Sequence, residues 1–405
     1  MVTTFYPPYH FGGDGVFVYR LSEALAERGH SIDVIHSIDA YRLQHPAEPE
    51  IDFAHHPNVQ RHPLETKNPK LSTLSVHQLG RPAVYRRRLR ALLDGGHYDV
   101  IHFHNVSLMG GPAVFRLGRA LKLYTAHEYW MVCPTHVLFR FNKEACVKKK
   151  CLRCQLKYRR PPQLWRYTGL TRRCLREIDC LIAPSQFTMD RLRADGLDCP
   201  MTVLPHFVPP PAQQSEARSQ PNESRGYFLF VGRLEKLKGV QDLIRMFAAY
   251  QEADLVIVGD GNYAPSLREL AKRLKHVRFL GTVSFSEISA LYRGAIAVLA
   301  PSLCYETFGL TLAEALAHGT PVIARRIGAL TELVEQSEGG LLFDSLEECR
   351  AAMDRLLADP RLRDTLGKRG HAAVQEHWMV EVHLARYLRL LTLRAAAELS
   401  KASHK

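Results

Sequence analysis

Short unbroken apolar runs alternate with amphipathic stretches along most of this 405-residue chain. GYFLFVG (226–232), DLVIVG (254–259), AIAVLAP (295–301) and DCLIAPS (179–185) have the composition of strands buried on both faces. VFVYRLSEALAERGH (16–30) has helical spacing and stops at Gly29, just before the strand SIDVIH. The same strand–helix rhythm recurs through DVIHFHNV, KLYTAHEYW, MTVLPHFV and VRFLGTV. It predicts an α/β protein of Rossmann-like parallel sheets flanked by helices. At this length two such domains are expected.

The breaks in the rhythm set the expected boundaries. PPPAQQSEARSQPNESR, 209–225, has little to bury and reads as a linker between a domain at 1–208 and one at 226–375. Residues 376–405 alternate apolar and basic positions at helical spacing and read as a terminal helix and tail. Residues 44–80, rich in Pro, His and Asn, read as an irregular excursion. A second one, 131–176, reads as an insert in the first domain. MVTTF looks like the tail of a first strand, either short or begun late.

Within this frame a few stretches carry chemistry. Residues 295–324 read as strand, loop, helix, turn and strand; Thr307 is a candidate cap, and Gly319 with Pro321 is a stop signal. Glu306 lies in the loop and Glu314 in the helix. The amides of Phe308, Gly309 and Leu310 open the helix N-terminus, a natural anion site. The pattern suits a ligand with a diphosphate at one end and hydroxyls to grip; the plainer reading is a βα unit with two solvated glutamates. Gly12-Gly13-Asp14-Gly15 opens the first βαβ unit, where backbone around Gly13 can approach a phosphate closely. It lacks the G-K-[ST] of a P-loop and the third glycine of a dinucleotide fingerprint. After the strand GYFLFVG come Arg233 and Lys238, which can neutralise a departing diphosphate without a metal, or simply form a solvated basic turn. Gly259-Asp260-Gly261 ends the next strand. His104 and His127 end two strands of the first domain, where open sheets bind ligands, although a lone histidine is more often structural.

Taken together these motifs resemble the retaining glycosyltransferases of family 4. The E-x7-E signature is matched by Glu306, Phe308, Gly309, Glu314, Gly319 and Pro321, in register. G-R-L-x-x-x-K-G, G-D-G, the glycine-rich turn and the H-E at His127 appear in the family's order, across nearly the whole chain. The resemblance implies the GT-B fold: two Rossmann-like domains facing a cleft, with the last helix crossing back to the first. It implies transfer of a sugar from a nucleotide-diphosphate sugar to an acceptor hydroxyl, with retention and without a catalytic metal or other cofactor. Arg233, Lys238 and the Phe308–Leu310 amides would stabilise the leaving phosphate. Glu314 would hold the ribose, Glu306 the sugar hydroxyls, and His127 the sugar near its anomeric centre. Gly13 and Gly259 would lie along the donor. The departures are the clipped first strand, the 131–176 insert, and Pro205-His206-Phe207 in place of the family's usual P-N-G.

Charge and cysteines sharpen the picture. Of the net +13, residues 1–208 carry 29 Lys/Arg against 18 Asp/Glu, and 143–176 alone hold 12 basic residues with only Glu144 acidic. That window also holds Tyr158, Trp165 and Tyr167. It is either a solvated face or a docking surface for an anionic membrane or an acidic lipid-linked or cell-surface glycan acceptor. Cys133, Cys146, Cys151 and Cys154 are either four reduced thiols or a structural zinc site, only the last pair having the C-x-x-C spacing. Nine cysteines and a start with neither a basic nor an apolar signal region point to the cytosol. A glycan phosphorylase of the same fold would need a pyridoxal phosphate lysine that no motif marks. A nucleic-acid-binding protein would explain the basic window but not the carboxylates, so no nucleic-acid partner is expected. Base, sugar and acceptor are not legible in the residues.

Overall fold

The computed structural model describes residues 1–45, 48–49, 53–211 and 225–403, with backbone alone beyond residue 396. Contacts divide the chain into two compact units: 1–137, 150–204 and 384–405 in the first, 138–149 and 205–383 in the second. The linker expected at 209–225 falls mostly on 212–224, outside the described residues. Residues 138–149 of the insert, and the tail from Leu384 on, join a different unit from their sequence neighbours.

The strands in chain order are β1 (Ile32–Ser37), β2 (Val59–Leu64), β3 (Val100–Phe103), β4 (Leu121–Thr125), β5 (Phe139–Arg140), β6 (Glu144–Ala145), β7 (Cys180–Ala183) and β8 (Met201–Val203). In the first unit β3-β4-β7-β8 form one parallel ladder and β1-β2 another. The opening residues join them: Val2 bridges both Ile35 and Phe103, with Val2 N–H donating to His102 O and Thr3 N–H to Ile35 O. β5 and β6 are a two-residue antiparallel pair in the second unit.

The second unit continues with β9 (Tyr227–Val231), β10 (Asp254–Val258), β11 (Val277–Gly281), β12 (Ala297–Ala300), β13 (Val322–Arg325) and β14 (Gly340–Phe343). All pair in parallel, in the order β11-β10-β9-β12-β13-β14. Phe228, Phe230, Leu255 and Ile257 face one core, while Leu229, Val256 and Val258 face the other. Both faces are therefore covered, which explains the unbroken apolar runs. The chain steps outward from β9 to β10 and β11, then returns to β9's other edge with β12. This reversal puts a switch point at the carboxyl ends of β9 and β12, where open sheets take ligands.

Several elements differ from the sequence expectation. The supposed excursion at 44–80 contains β2 and a helix, Pro69–Leu79, capped by the Asn68 side chain on Leu71 N–H. Between β3 and β4 the strand–helix rhythm is filled only by a 3-10 turn, Pro112–Arg116. The helix Leu310–Ala317 starts from Gly309 rather than from Thr307, the expected cap, and the φ of 107° at Gly309 is one that only glycine adopts readily. The terminal helix Val380–Ser403 forms as expected, preceded by a second one, Pro360–His377.

Candidate active site

In the second unit three loops meet at the carboxyl ends of β9, β10 and β12. Leu234 N–H donates to Asp260 O, Tyr263 N–H to Leu234 O, and Leu303 N–H to Leu237 O. The glycines are what allow this approach. A Cβ on Gly259 would sit 2.0 Å from Gly232 O, one on Gly261 2.5 Å from Leu234 O, and one on Gly239 2.1 Å from Pro301 O. These loops carry Arg233, Lys238, Gly259 and Glu306, residues up to 73 positions apart in sequence.

At their centre Lys238 Nζ lies 2.6 Å from Glu306 Oε1, and the same oxygen accepts from Ser302 Oγ at 2.7 Å. Burial alone would lower the pKa of Lys238; Glu306 beside it, with Cys304 and Glu235 near, outweighs that and raises it. Burial likewise opposes ionisation of Glu306, but Lys238 and the Ser302 hydroxyl hold its pKa below the usual carboxylate value. The pair is thus a fixed cation and a fixed anion. Arg233, half-exposed, pairs with Glu235 at 2.6 Å. Glu314 lies in the helix Leu310–Ala317, and Tyr292 OH donates to its Oε2 at 3.3 Å. The Phe308 ring packs edge-on to Trp378 at 5.7 Å, and its backbone leads into the helix that opens at Gly309 and Leu310.

The first unit gathers its own set. His127 follows β4 and His104 follows β3; His104 Nδ1 and His127 Nε2 are 2.9 Å apart. His104 is fully buried and His127 half-buried against Phe17, with ring centroids 5.3 Å apart. Burial pushes the His127 pKa down to about 3, so the ring is neutral. Gly13 is the first residue of the helix Gly13–Ala26, entered from Gly12 at φ 77°, and Asn105 Nδ2 donates to Asp14 Oδ2 at 3.3 Å. The glycine-rich turn and the β3 and β4 ends therefore adjoin one another.

Sequence reasoning missed Ser302, Tyr292 and Glu235, the partners that hold Glu306, Glu314 and Arg233; none stands at a spacing that marks it. Of the four cysteines, Cys133, Cys151 and Cys154 fall in the first unit and Cys146 in the second. Among the described residues no group of three or more His, Cys, Asp or Glu could hold a metal.

Residues 11–211 match glycosyltransferase family 4, and residues 212–373 match the glycosyl transferases group 1 family. The D-inositol 3-phosphate glycosyltransferase of Salinispora arenicola is 31% identical over 397 residues, covering 89% of this chain and 83% of that one. The chain belongs to glycosyltransferase family 4. Its GT-B fold is shared with sucrose-phosphate synthase from Thermosynechococcus elongatus, at TM-score 0.74 and 23% identity over 98% of each chain. It is shared too with Anabaena HepE, solved in complex with UDP and glucose, at TM-score 0.66 and 18% identity over 96% of this chain and 99% of that one. In this family 4 glycosyltransferase, the loop ends of the second unit carry two cations and Glu306 before a helix N-terminus, and Glu314 lies within that helix. That set can bind a polyanion at one end and hydroxyl groups at the other.

Proposed function

We propose that this glycosyltransferase moves a sugar from a nucleoside diphosphate sugar to an acceptor hydroxyl with retention of anomeric configuration. Lys238 and Arg233 take up the charge that develops on the leaving diphosphate, with the amides opening the helix at Gly309 and Leu310. Such preorganised donors act where charge appears and need no metal. Glu314 accepts from the ribose hydroxyls and Glu306 from the sugar hydroxyls. His127, neutral, orients the sugar near its anomeric carbon, and Gly13 and Gly259 let backbone lie against the donor. With Glu314 committed to ribose, no carboxylate pair is left for double displacement; the acceptor attacks the face the diphosphate leaves. The acceptor is a lipid-linked or cell-surface glycan, met by a cytoplasmic protein held peripherally at the membrane. The excess positive charge of residues 1–208 supports an anionic acceptor.

The observation that carries this reading is the Lys238–Glu306–Ser302 cluster at the strand ends. It keeps a cation and a carboxylate charged side by side. A phosphate entering there trades places with Glu306 on Lys238, which frees Glu306 to receive hydroxyls. The test is a panel of UDP- and GDP-sugars in EDTA, with simple glycans as acceptors, read by proton NMR of the new linkage. The expected product keeps the donor's anomeric configuration; inversion, or a strict metal requirement, contradicts the reading. UDP is tried first because the HepE complex contains it.

A further inference from the structure

The helix Pro69–Leu79 is packed inside out. Ser72, Thr73 and Val76 face inward, whereas Leu71, Leu74 and Leu79 face solvent, Leu71 with 60% of its surface exposed. Asp39, fully buried, holds it that way. Its carboxylate accepts from Ser72 Oγ at 2.6 Å, Thr66 Oγ1 at 2.6 Å, Tyr85 OH at 2.5 Å and Thr66 N–H at 3.0 Å. Turning the leucines inward would break those bonds to a buried carboxyl group, so the exposure is built in.

The same unit repeats the pattern on two neighbouring elements. The 3-10 turn Leu164–Tyr167 buries Trp165, whose Nε1–H donates to His77 O at 2.8 Å, and exposes Leu164 at 67% and Tyr167 at 65%. The helix Cys151–Lys157 buries Cys154 and Gln155 and exposes Leu152 and Leu156. Gln155 Nε2–H donates to Pro161 O, in the stretch that leads from this helix to the turn. Around these leucines, residues 66–93 contain seven Lys/Arg and 150–176 contain nine, with no Asp or Glu in either segment. All sixteen but Arg166 are exposed. Single protruding leucines among cations, with no acidic residue between them, suit a fluid anionic surface. The cations meet headgroups, and the apolar tips enter the acyl boundary.

We infer that the Pro69–Leu79 helix, the Leu164–Tyr167 turn and the Cys151–Lys157 helix together form a docking face for anionic lipid bilayers. This face rests on the peripheral membrane attachment proposed above, and vesicle binding reads it separately from donor chemistry. The test is flotation of the full-length protein with phosphatidylcholine vesicles, with and without about one third phosphatidylglycerol, at about 50 mM and 500 mM salt. The wild type floats with the anionic vesicles at low salt only. Leu71→Gln/Leu74→Gln with Leu164→Gln/Tyr167→Ser lowers the bound fraction about tenfold, leaving the melting temperature and donor hydrolysis without vesicles unchanged. Equal flotation with neutral vesicles, retention by the quadruple variant, or no flotation at low salt each overturns it. So does a concentration-dependent dimer abolished by the same substitutions, which would give the face to a second copy of the chain.

Discussion

Lys238→Ala removes the cation nearest the proposed leaving group, and its cost can be worked from the geometry. Lys238 Nζ is 2.6 Å from Glu306 and its pKa is raised, so a full positive charge stands there at any working pH. A unit charge about 4 Å from a phosphate oxygen, at an effective dielectric of about 20, is worth about 4 kcal/mol. Arg233 and the helix N-terminus remain and water enters the space, which brings the expected loss to about 3 kcal/mol, or about a hundredfold in rate. The assay is kcat and kcat/KM for nucleoside diphosphate release in EDTA, with donor saturating. Because the substitution also leaves Glu306 without its cation, Lys238→Met/Glu306→Gln serves as a companion that removes both charges. It should recover the stability lost in Lys238→Ala but not the rate. Turnover by Lys238→Ala within a few-fold of wild type would refute the reasoning, as would rate recovery in the companion.

Other outcomes follow from neighbouring groups. Glu314→Gln should weaken binding of the free nucleoside diphosphate about tenfold by calorimetry, whereas Glu306→Gln should leave that affinity nearly intact and lower transfer; the reverse pattern would exchange their roles. His127 has a folded pKa of about 3 against an ordinary 6.5, so between those values the unfolded chain binds the proton that the folded chain refuses. Its contribution to stability is complete above about pH 6.5 and declines by at most about 1.4 kcal/mol per unit as pH falls. Denaturant titrations of His127→Gln should show a shallower acid slope, and an identical slope would contradict the burial argument. Gly239→Ala forces a side chain to φ 77° with its Cβ 2.1 Å from Pro301 O. It should cost about 2 kcal/mol, read as several degrees in melting temperature; an unchanged midpoint would show that the loop yields.

The middle of the second unit's sheet was legible because both its faces are covered, so β9, β10 and β12 are nearly unbroken apolar runs, whereas the edge strand β14, only partly buried, was not marked. The E-x7-E stretch was equally legible, since loop, helix and turn are local in sequence. The Pro69–Leu79 helix was not: its buried face is Ser72 and Thr73, held by Asp39 some thirty residues earlier, so hydrophobic periodicity points the wrong way. β2, with the sequence VQRHPL, escaped for a related reason; only its ends, Val59 and Leu64, are buried, and among the described residues it pairs with β1 alone. Thr307 looked like a cap by residue type, but glycine's access to positive φ placed the helix start at Gly309. The pairing of Lys238 with Glu306 is a tertiary fact. Each residue could be read as a charge near a strand end, but not as the other's partner.

Action of the second unit's strand-end loops on a nucleoside diphosphate sugar is open to one direct experiment. Purified protein is incubated with a panel of UDP-, GDP-, ADP- and TDP-sugars in EDTA, and released nucleoside diphosphate is quantified for wild type and Lys238→Ala side by side. The expected result is release from one donor class by the wild type and about a hundredfold less by the variant at equal folded concentration. No release from any donor, or release that Lys238→Ala leaves unchanged, would contradict it.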